Sequence, residues 1–275
     1  MFKVHVNGAL VDGEDAGISV HDHGLVVGDG VFETVLLWAS RPFALGRHLD
    51  RLARSAAGLR IPMPSTKTVA AAVGEVVAAA GLSVGRIRIT VTAGAGPLGS
   101  GRLDSAPSLV VAIDELGETH ECAAVSVVPW SRNEHGALAG LKTTSYAENA
   151  LALAHAAAAG ADEAIFANTA GHLCEGTGSN VFVVRAGHLL TPPLTAGCLA
   201  GVTRALVLEF DGGSEADLPI AEFAPGAITE AFLTSSLRGV QPISAIDGVP
   251  LSWPGPHTAH AAATYTSLLE RGGDL

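Results

Sequence analysis

The sequence is short of positive charge and of cysteine. Its 275 residues include 16 lysines and arginines against 27 aspartates and glutamates, which gives a formal net charge of −11. The lack of a basic stripe argues against nucleic acid or an anionic membrane as the main partner. The cysteines are Cys122, Cys174 and Cys198. Their odd number and the lack of CxxC spacing indicate neither a disulfide framework nor a zinc site.

Long apolar runs are also missing. Residues 1–8 alternate like a strand and lack the apolar core of a signal peptide. The Ala-rich stretch that ends at Gly160 carries Glu148 and His155, which does not suit a membrane span. We therefore expect a cytoplasmic protein with no membrane partner. His21-Asp22-His23 has no further ligands at metal spacing, so we expect no metal site.

Apolar residues make up 48% of the chain, enough for a packed α+β protein of two domains. We predict a small N-terminal α+β domain over 1–118, built as a sandwich of strands and helices, and a larger, strand-rich, barrel-like domain over 119–275. Helices are predicted over 48–58, 66–80, 145–159 and 202–210, and the first two are expected to end at the glycine caps Gly58 and Gly81.

Two glycine-rich segments have to be considered as nucleotide sites. Gly94-Ala95-Gly96-Pro97-Leu98-Gly99 fits the GxGxxG pattern, but Pro97 and Pro107 prevent a helix from starting there. Without a helix N-terminus the loop has no pyrophosphate site. Residues 171–178 have the glycine spacing of a P-loop, yet Thr177 stands where the lysine is required. Neither segment predicts nucleotide binding.

Only three lysines occur, and one of them has an unusual setting. Lys3 begins a strand and Lys67 opens a surface helix, so both are interpreted as solvated charges. Lys142 lies at a loop-to-helix junction beside small hydroxyl residues. A desolvated ammonium there would have a lowered pKa and would be nucleophilic at neutral pH. Taken alone, Lys142 could equally be a lysine at a helix start with no role.

Glu175 lies between two predicted strands and is flanked by Gly176 and Gly178, which allow close approach to the backbone. With Lys142 it supplies the two groups that a pyridoxal phosphate enzyme requires, a Schiff-base lysine and a carboxylate for the pyridine nitrogen. Considered by itself, Glu175 would be an exposed turn residue.

An anion site is also present in the sequence. Gly201 leads directly into a helix, where backbone N–H groups and the Thr203 hydroxyl can bind phosphate. Arg51 lies on the first turns of an amphipathic helix, and its fork can hold phosphate with two hydrogen bonds. The alternatives are that Thr203 is a helix cap and that Arg51 forms a surface ion pair.

In this order the motifs resemble the fold-type IV, or class IV aminotransferase-like, pyridoxal phosphate enzymes. This family contains aminodeoxychorismate lyase, D-amino acid transaminase and branched-chain aminotransferase. The resemblance implies pyridoxal 5′-phosphate as the cofactor, a homodimer, and the two-domain fold of the family. It covers nearly the whole chain, in Gly28-Asp29-Gly30-Val31-Phe32-Glu33-Thr34, His48-Leu49-Asp50-Arg51-Leu52, Lys142, Glu175-Gly176-Thr177-Gly178-Ser179-Asn180-Val181-Phe182, Gly201-Val202-Thr203-Arg204 and Ser235-Ser236-Leu237-Arg238-Gly239-Val240-Gln241-Pro242.

The resemblance also implies individual roles. Lys142 is the catalytic residue, which forms the Schiff base and moves protons at the substrate carbon, and Glu175 pairs with the pyridine nitrogen. Asn180 is expected to brace the Glu175 loop. The other implied cofactor-binding residues are Tyr146 near the ring hydroxyl, Leu199 on the ring face, Arg51, Val202, Thr203 and Ser236 at the phosphate, and Ser179 and Ser235.

Two familiar carboxylate clamps are missing. Branched-chain enzymes carry Tyr-x-Arg-Pro where this chain has Arg86-Ile87-Arg88-Ile89, and D-amino acid transaminases carry an arginine and a histidine near 93–96, where this chain has neither. Arg88 remains the candidate ligand for a small amine substrate with a carboxylate. The segment 236–240 resembles the Asn-Ser-Leu-Arg-Gly-Val sequence of lyase-like members, with Ser235 in place of the asparagine.

The sequence therefore predicts aminodeoxychorismate lyase, a lyase of folate biosynthesis that forms 4-aminobenzoate and pyruvate. The alternative is a transaminase of the same fold that acts on D-amino acids, branched-chain amino acids or amines. A non-catalytic relative used as a scaffold is a third hypothesis, and intact Lys142 and Glu175 argue against it.

Overall fold

The computed structural model describes residues 3–118 and 120–272, and the chain divides into two compact units. The first unit contains 3–117, Leu141–Tyr146 and Gly272. The second contains Glu118–Gly140 and Ala147–Arg271. The short segment around Lys142 thus belongs to the N-terminal unit, although the chain on both sides of it belongs to the other.

One six-stranded sheet and three helices form the first unit. The elements are β1 (Lys3–Val6), β2 (Ala9–Asp12), α1 (His23–Val26), β3 (Gly30–Trp38), β4 (Arg41–Pro42), α2 (Leu45–Gly58), α3 (Thr66–Ala80), β5 (Gly85–Thr92) and β6 (Ser108–Asp114). The strand order is β2-β1-β6-β5-β3-β4, and every neighbouring pair is antiparallel.

The alternation of side chains along β3 and β5 gives this sheet two different faces. Val31 and Val35 on β3, with Ile87 and Ile89 on β5, belong to a buried core that includes residues of α2 and α3 such as Leu52. The residues between them, at even-numbered positions, point to the other face. The two faces can therefore carry different chemistry on the same strands.

The ends of α2 and α3 differ in how well the sequence predicted them. Helix α3 ends at Gly81 with a φ of 65°, the left-handed cap that we expected. Gly58 was expected to do the same for α2, and this prediction is wrong, because Gly58 is still helical and the left-handed residue is Arg60, with a φ of 54°. Gly58 has a packing reason instead: a Cβ there would lie 2.7 Å from the Leu141 side chain.

The second unit contains a nine-stranded sheet and three α-helices. Its elements are β7 (Ala123–Arg132), α4 (Ala147–Ala158), β8 (Glu163–Asn168), β9 (Leu173–Gly176), β10 (Asn180–Arg185), β11 (His188–Thr191), α5 (Val202–Asp211), β12 (Ser214–Glu215), β13 (Glu230–Ser235), β14 (Gly239–Ile246), β15 (Val249–Pro250) and α6 (Pro256–Arg271). The order is β12-β11-β10-β13-β14-β7-β8-β9, with β15 beside β14. The pairs β7–β8, β14–β7 and β11–β12 are parallel.

Helix α6 was not predicted from the sequence, and its beginning shows why. A buried carboxylate, Glu230 on β13, accepts hydrogen bonds from the Thr258 N–H at 2.9 Å and the Thr258 hydroxyl at 3.0 Å. The residues that stabilise the first turn are thus 28 positions apart, beyond the reach of a local pattern.

Neither a membrane-spanning helix nor a metal-binding cluster is found among the described residues. None of the helices in 3–118 and 120–272 combines the length and apolarity needed to cross a membrane. The same part of the chain contains no group of three or more His, Cys, Asp or Glu residues that could hold a metal ion. In the His21–His23 segment, Asp22 instead accepts hydrogen bonds from the Gly24 N–H and from the hydroxyls of Thr92 and Ser108.

Candidate functional site

The backbone around Lys142 is tied to the beginning of β3. The Phe32 N–H donates to the Lys142 carbonyl at 3.0 Å, and the Thr144 N–H donates to the Gly30 carbonyl at 2.8 Å. On the other side, the Lys142 N–H donates to the Ser55 hydroxyl of α2 at 3.1 Å. These bonds hold the lysine backbone in a fixed position on the first unit.

The glycines of the Gly-Asp-Gly motif make room for this segment. Gly28 has a φ of 68°, and a Cβ on it would lie 2.8 Å from the Ser145 hydroxyl. A Cβ on Gly30 would lie 2.9 Å from the Thr144 hydroxyl. Both hydroxyls donate to the Gly28 carbonyl, at 2.9 Å from Thr144 and 3.0 Å from Ser145. The motif is therefore explained by the close approach of the lysine segment.

The Lys142 side chain lies against aromatic rings on the face of β3 opposite the core. Its Nζ is 4.3 Å from the centroid of the Phe32 ring and 5.7 Å from that of Tyr146, and the two rings meet edge to face at 5.2 Å. Arg88 comes to the same Phe32 ring, with Cζ 3.3 Å from its centroid. Burial lowers the pKa of Arg88 to about 10, so the guanidinium is still charged at neutral pH. The Arg88 cation and the Lys142 amine thus lie next to one ring, and the charge of Arg88 suits an anionic group there.

The core face of β3 carries an ion pair that the sequence did not predict. Glu33 is fully buried and accepts two hydrogen bonds from Arg51, from Nε and Nη2, each at 2.7 Å. The His48 Nδ1 is 2.7 Å from the same carboxylate. Arg51 is thus itself buried in the unit, and its fork faces Glu33. The signal in the sequence was a glutamate at a core position of an apolar strand.

Burial and pairing oppose each other at this cluster. Burial alone would raise the pKa of Glu33, but the hydrogen bonds from Arg51 and His48, together with their charges, lower it from 4.5 to about 2. Burial lowers the pKa of His48 more than Glu33 raises it. At neutral pH the cluster is therefore a Glu33 anion with an Arg51 cation and a neutral histidine.

In the second unit, Glu175 at the end of β9 is held from two sides. One oxygen accepts a hydrogen bond from the Leu199 N–H at 2.8 Å, and the other lies 3.3 Å from the Arg132 Nε. Arg132 also pairs with Glu148 at 2.6 Å and lies over the Phe166 ring at 4.2 Å. The Glu175 side chain is only 13% exposed, so its orientation is set by these neighbours rather than by solvent.

The turn after Glu175 closes on a second buried carboxylate, Glu163. It accepts hydrogen bonds from the Thr177 N–H at 3.0 Å, the Thr177 hydroxyl and the Ser179 hydroxyl at 3.1 Å. Arg238 donates to it from Nη2 at 2.6 Å. A Cβ on Gly176 would lie 2.4 Å from the Ser179 hydroxyl, which explains one glycine of the motif. No local motif in the sequence singled out Glu163.

Asn180 and Gly201 shape the segment that binds Glu175. The Asn180 side-chain amide donates to the Leu199 carbonyl at 2.8 Å. A Cβ on Gly201 would lie 1.9 Å from the Asn180 Oδ1, so only glycine fits there. Gly201 is the N-cap of α5 and offers no side chain to the first turn. The N–H groups of Val202, Thr203 and Arg204 precede that of Ala205, which is bonded to the Gly201 carbonyl, and they have no carbonyl partner within the helix.

Tyr265 of α6 connects two residues that were predicted at the phosphate. Its hydroxyl forms a hydrogen bond with the Thr203 side chain and donates to the Ser236 carbonyl at 3.5 Å. Burial raises the pKa of Tyr265 to about 12, so it is a neutral donor at neutral pH. Tyr265 was missed because nothing in α6 suggested a role.

The Ser235 hydroxyl accepts hydrogen bonds from Arg238, from its N–H at 3.2 Å and its Nε at 3.4 Å. Arg238 is the arginine of the lyase-like segment, and its guanidinium faces Glu163, Ser235 and Gln241. The predicted site residues are thus divided between the two units. Arg51, Arg88, Lys142 and Tyr146 belong to the first unit, and Glu175, Ser179, Leu199, Val202, Thr203, Ser235 and Ser236 belong to the second.

Comparison with known proteins identifies the family. The family model for amino-transferase class IV matches residues 30–246. The "Putative branched-chain-amino-acid aminotransferase" of Methanocaldococcus jannaschii is 35% identical, with 90% of this chain and 88% of that protein covered. The D-alanine aminotransferase of Listeria innocua is 30% identical over 99% and 98% of the two chains. The aminodeoxychorismate lyase of Bacillus subtilis is 28% identical over 90% and 87%.

Solved structures agree with this result. The branched-chain aminotransferase from Thermoproteus uzoniensis with norvaline superimposes with a TM-score of 0.90 at 32% identity, covering 98% of this chain and 95% of that one. A branched-chain amino acid aminotransferase from T.th., complexed with N-(5′-phosphopyridoxyl)-L-glutamate, has a TM-score of 0.89 at 29% identity and covers 99% and 96%. The predicted fold class is confirmed.

The Glu33 cluster predicts a specific dependence of stability on pH. The folded pKa of Glu33, about 2, lies below its ordinary value of 4.5, so its stabilisation is complete above 4.5 and is lost as the pH falls from 4.5 towards 2. We expect Glu33→Gln to lower the free energy of unfolding at pH 7 by about 3–5 kcal/mol, because Arg51 loses its counter-charge. Urea unfolding from pH 7 to 2.5 should show the two proteins converging in acid. Parallel pH curves would contradict this assignment.

Proposed function

We propose, from the premise that this chain belongs to the class IV aminotransferase family, that it is an aminotransferase acting on a small amino acid through its carboxylate and amine. Its cofactor is pyridoxal 5′-phosphate, in agreement with the phosphopyridoxyl group bound in the T.th. enzyme. We further propose Lys142 as the catalytic residue and Glu175 as the partner of the cofactor's ring nitrogen.

Features of this chain fit the cofactor. Lys142 supplies a primary amine on a backbone that β3 holds in place. Glu175 supplies a carboxylate oriented by the Leu199 N–H and by Arg132, as a cationic ring nitrogen requires. The uncapped first turn of α5, with Thr203, supplies N–H groups and a hydroxyl for a phosphate.

The role of each side chain follows from its chemistry. When bound, the cofactor supplies an aldehyde that an amine can attack and a ring that accepts electrons. The Lys142 Nζ holds the cofactor, and in its free form takes and returns the proton at the α-carbon of the substrate. The Glu175 carboxylate balances the positive charge of the ring nitrogen, which favours electron flow towards the ring. Tyr146 is proposed to bind the ring hydroxyl, and Leu199 to pack on the ring.

The position of Arg88 is the observation that favours an amino acid as the substrate. Its guanidinium and the Lys142 amine both lie at the Phe32 ring, so a carboxylate bound by Arg88 would be near the amine that performs the chemistry. Arg88 stands at the arginine of the Tyr-x-Arg-Pro element, although Tyr and Pro are replaced by Arg86 and Ile89. The M. jannaschii and L. innocua relatives, both aminotransferases by name, support the same choice.

The lyase predicted from the sequence becomes the second candidate. The lyase was predicted from the two missing carboxylate clamps and from the segment 236–240, and Arg238 of that segment has an internal explanation, since it binds Glu163. The resemblance of this segment to lyase-like members therefore gives the lyase less support. The lyase is still supported by the B. subtilis relative and by the carboxylates of aminodeoxychorismate, which Arg88 could bind equally well.

Two expectations from the sequence remain predictions. They are the homodimer, which the family resemblance implies, and the cytoplasmic location, which was expected because the sequence shows no signal peptide and no membrane span. Equilibrium sedimentation of the purified chain measures the first, and fractionation of cells measures the second.

The reaction is tested by offering each substrate class to the purified holoenzyme. We expect D-alanine, L-leucine or L-glutamate to pass its amino group to an added keto acid, and no turnover without the acceptor, because amino transfer needs two substrates. Aminodeoxychorismate without a keto acid should yield little 4-aminobenzoate, measured by chromatography. Rapid formation of 4-aminobenzoate together with no amino transfer would establish the lyase instead.

The lysine assignment predicts where borohydride fixes the cofactor. Peptide mass spectrometry after reduction should find the added mass on the peptide that contains Lys142. Lys142→Ala should lower turnover by more than about a hundredfold, as expected for loss of a proton-transfer group. Lys67→Ala is the control and should behave as the wild type. Label on Lys3 or Lys67 would refute the assignment.

The Arg88 assignment predicts a change in KM. Arg88→Gln should raise KM for amino acids roughly tenfold to a hundredfold, the value of a lost charged hydrogen bond of about 1.5–3 kcal/mol. Arg86→Gln is a matched control, because Arg86 lies on the same face of β5 but pairs with Asp114 at 2.9 Å. Equal effects of both variants would show that Arg88 does not bind the substrate.

A further inference from the structure

Glu163 is a charged side chain in the interior of the second unit with a role still to be explained. It begins β8, and the residue is 2% exposed. Burying a carboxylate is costly unless donors and a cation surround it. Glu163 has these partners, and most of them belong to one turn.

That turn is the connection between β9 and β10, residues 177–179, directly after Glu175 and Gly176. One Glu163 oxygen accepts from both the N–H and the hydroxyl of Thr177, and the other accepts from the Ser179 hydroxyl at 3.1 Å. The Gly176 N–H closes the turn by donating to the Ser179 carbonyl at 2.8 Å. The turn is therefore folded around the Glu163 carboxylate.

Arg238 balances the charge of Glu163. Its Nη2 donates to the same oxygen that Ser179 binds, at 2.6 Å, and the Arg238 side chain is 24% exposed, against 3% for Glu163. Ser235 and Gln241 accept hydrogen bonds from other atoms of Arg238, which restricts its rotation. The arginine thus holds the carboxylate in place from the solvent side.

A second path of hydrogen bonds returns from the turn to Glu175. The Thr177 carbonyl accepts from the Asn149 amide at 2.6 Å, and the Asn149 Oδ1 accepts from Arg132 at 3.1 Å. Arg132 in turn lies 3.3 Å from the Glu175 carboxylate. Displacement of the turn would move Glu175 through its own backbone and would also move the arginine beside it.

We propose that Glu163 is a positioning residue for the reaction: with Arg238 as its counter-charge, it fixes the turn 177–179 and so sets the orientation of the Glu175 carboxylate towards the cofactor's ring nitrogen. The inference depends on the proposed function, since it assigns to Glu163 an effect on the electronics of that same site. It also accounts for Arg238, whose guanidinium supplies a cation beside the buried Glu163 carboxylate.

The test uses holoenzyme loaded with pyridoxal phosphate labelled with 15N in the ring, whose NMR signal reports protonation of that nitrogen. Glu175→Gln is expected to move the signal towards that of neutral pyridine. Glu163→Gln should move it in the same direction and lower kcat roughly tenfold to a hundredfold, as misplacement by about 1 Å does, with KM nearly unchanged. Thr177→Val, which removes one hydroxyl donor and keeps the ion pair, should give a smaller shift of the same sign.

Glu230→Gln is the matched control. Glu230 is also a buried glutamate of the second unit, and it binds Thr258 at the beginning of α6. The Glu230→Gln variant should lower the melting temperature as Glu163→Gln does, but it should leave the ring-nitrogen signal and the kcat of the folded enzyme unchanged. This separates positioning from general loss of stability.

The outcomes are distinct. A wild-type nitrogen signal in Glu163→Gln overturns the positioning role. If Glu163→Gln does not fold, a wild-type signal in Thr177→Val does the same. In either case a shifted signal in Glu175→Gln leaves the proposed function standing. An unshifted signal in Glu175→Gln overturns the role of Glu175 itself, and with it the premise of the inference. A shift in Glu230→Gln equal to that in Glu163→Gln would overturn the positioning role too, because any loss of stability would then move the ring nitrogen.

Discussion

An ionised carboxylate removed from water is stable only where a cation and several donors replace its hydration. Each unit contains such a carboxylate, and much of the local geometry follows from it. Glu33 fixes the position of Arg51 and His48 on α2. Glu163 gathers Thr177, Ser179 and Arg238. In both cases a segment that contains predicted site residues is arranged around a buried glutamate. The glutamate itself does not need to touch a ligand.

Strand β3 combines two environments through its alternation. On one face, Glu33 of β3 lies opposite Ile89 of the neighbouring strand β5, and Ile89 belongs to the core. On the other face, Phe32 lies between Lys142 and Arg88. A shift of one residue in the register of β3 would exchange the faces and bury the aromatic ring where the ion pair belongs. The apolar packing of the core therefore also determines which side chains accompany the lysine.

The sequence was most informative where the predicted site residues lie in short motifs. Lys142, Glu175 and the glycine turn before α5 could be recognised because each needs particular residues within a few positions. Helix α3 was predicted with the bounds that the structure shows, since capping is a local signal. Pairs of residues that are distant in sequence were missed. Glu163 and Arg238 are 75 positions apart, and Tyr265 and Ser236 are 29 apart. The lyase prediction depended on the missing carboxylate clamps and on the segment 236–240, and the Arg238 of that segment was read without its partner Glu163.

The Lys142 segment has a consequence for how the protein can be divided. The chain leaves the first unit after 117, returns for Leu141–Tyr146, and leaves again. A fragment that ends near 118 would keep β3 and Ser55 but lose the peptide that hydrogen-bonds to them. A fragment that begins there would carry the lysine without its support. The two compact units are interleaved in sequence, so a single cut near 118 would part the lysine segment from the strand and helix that hold it.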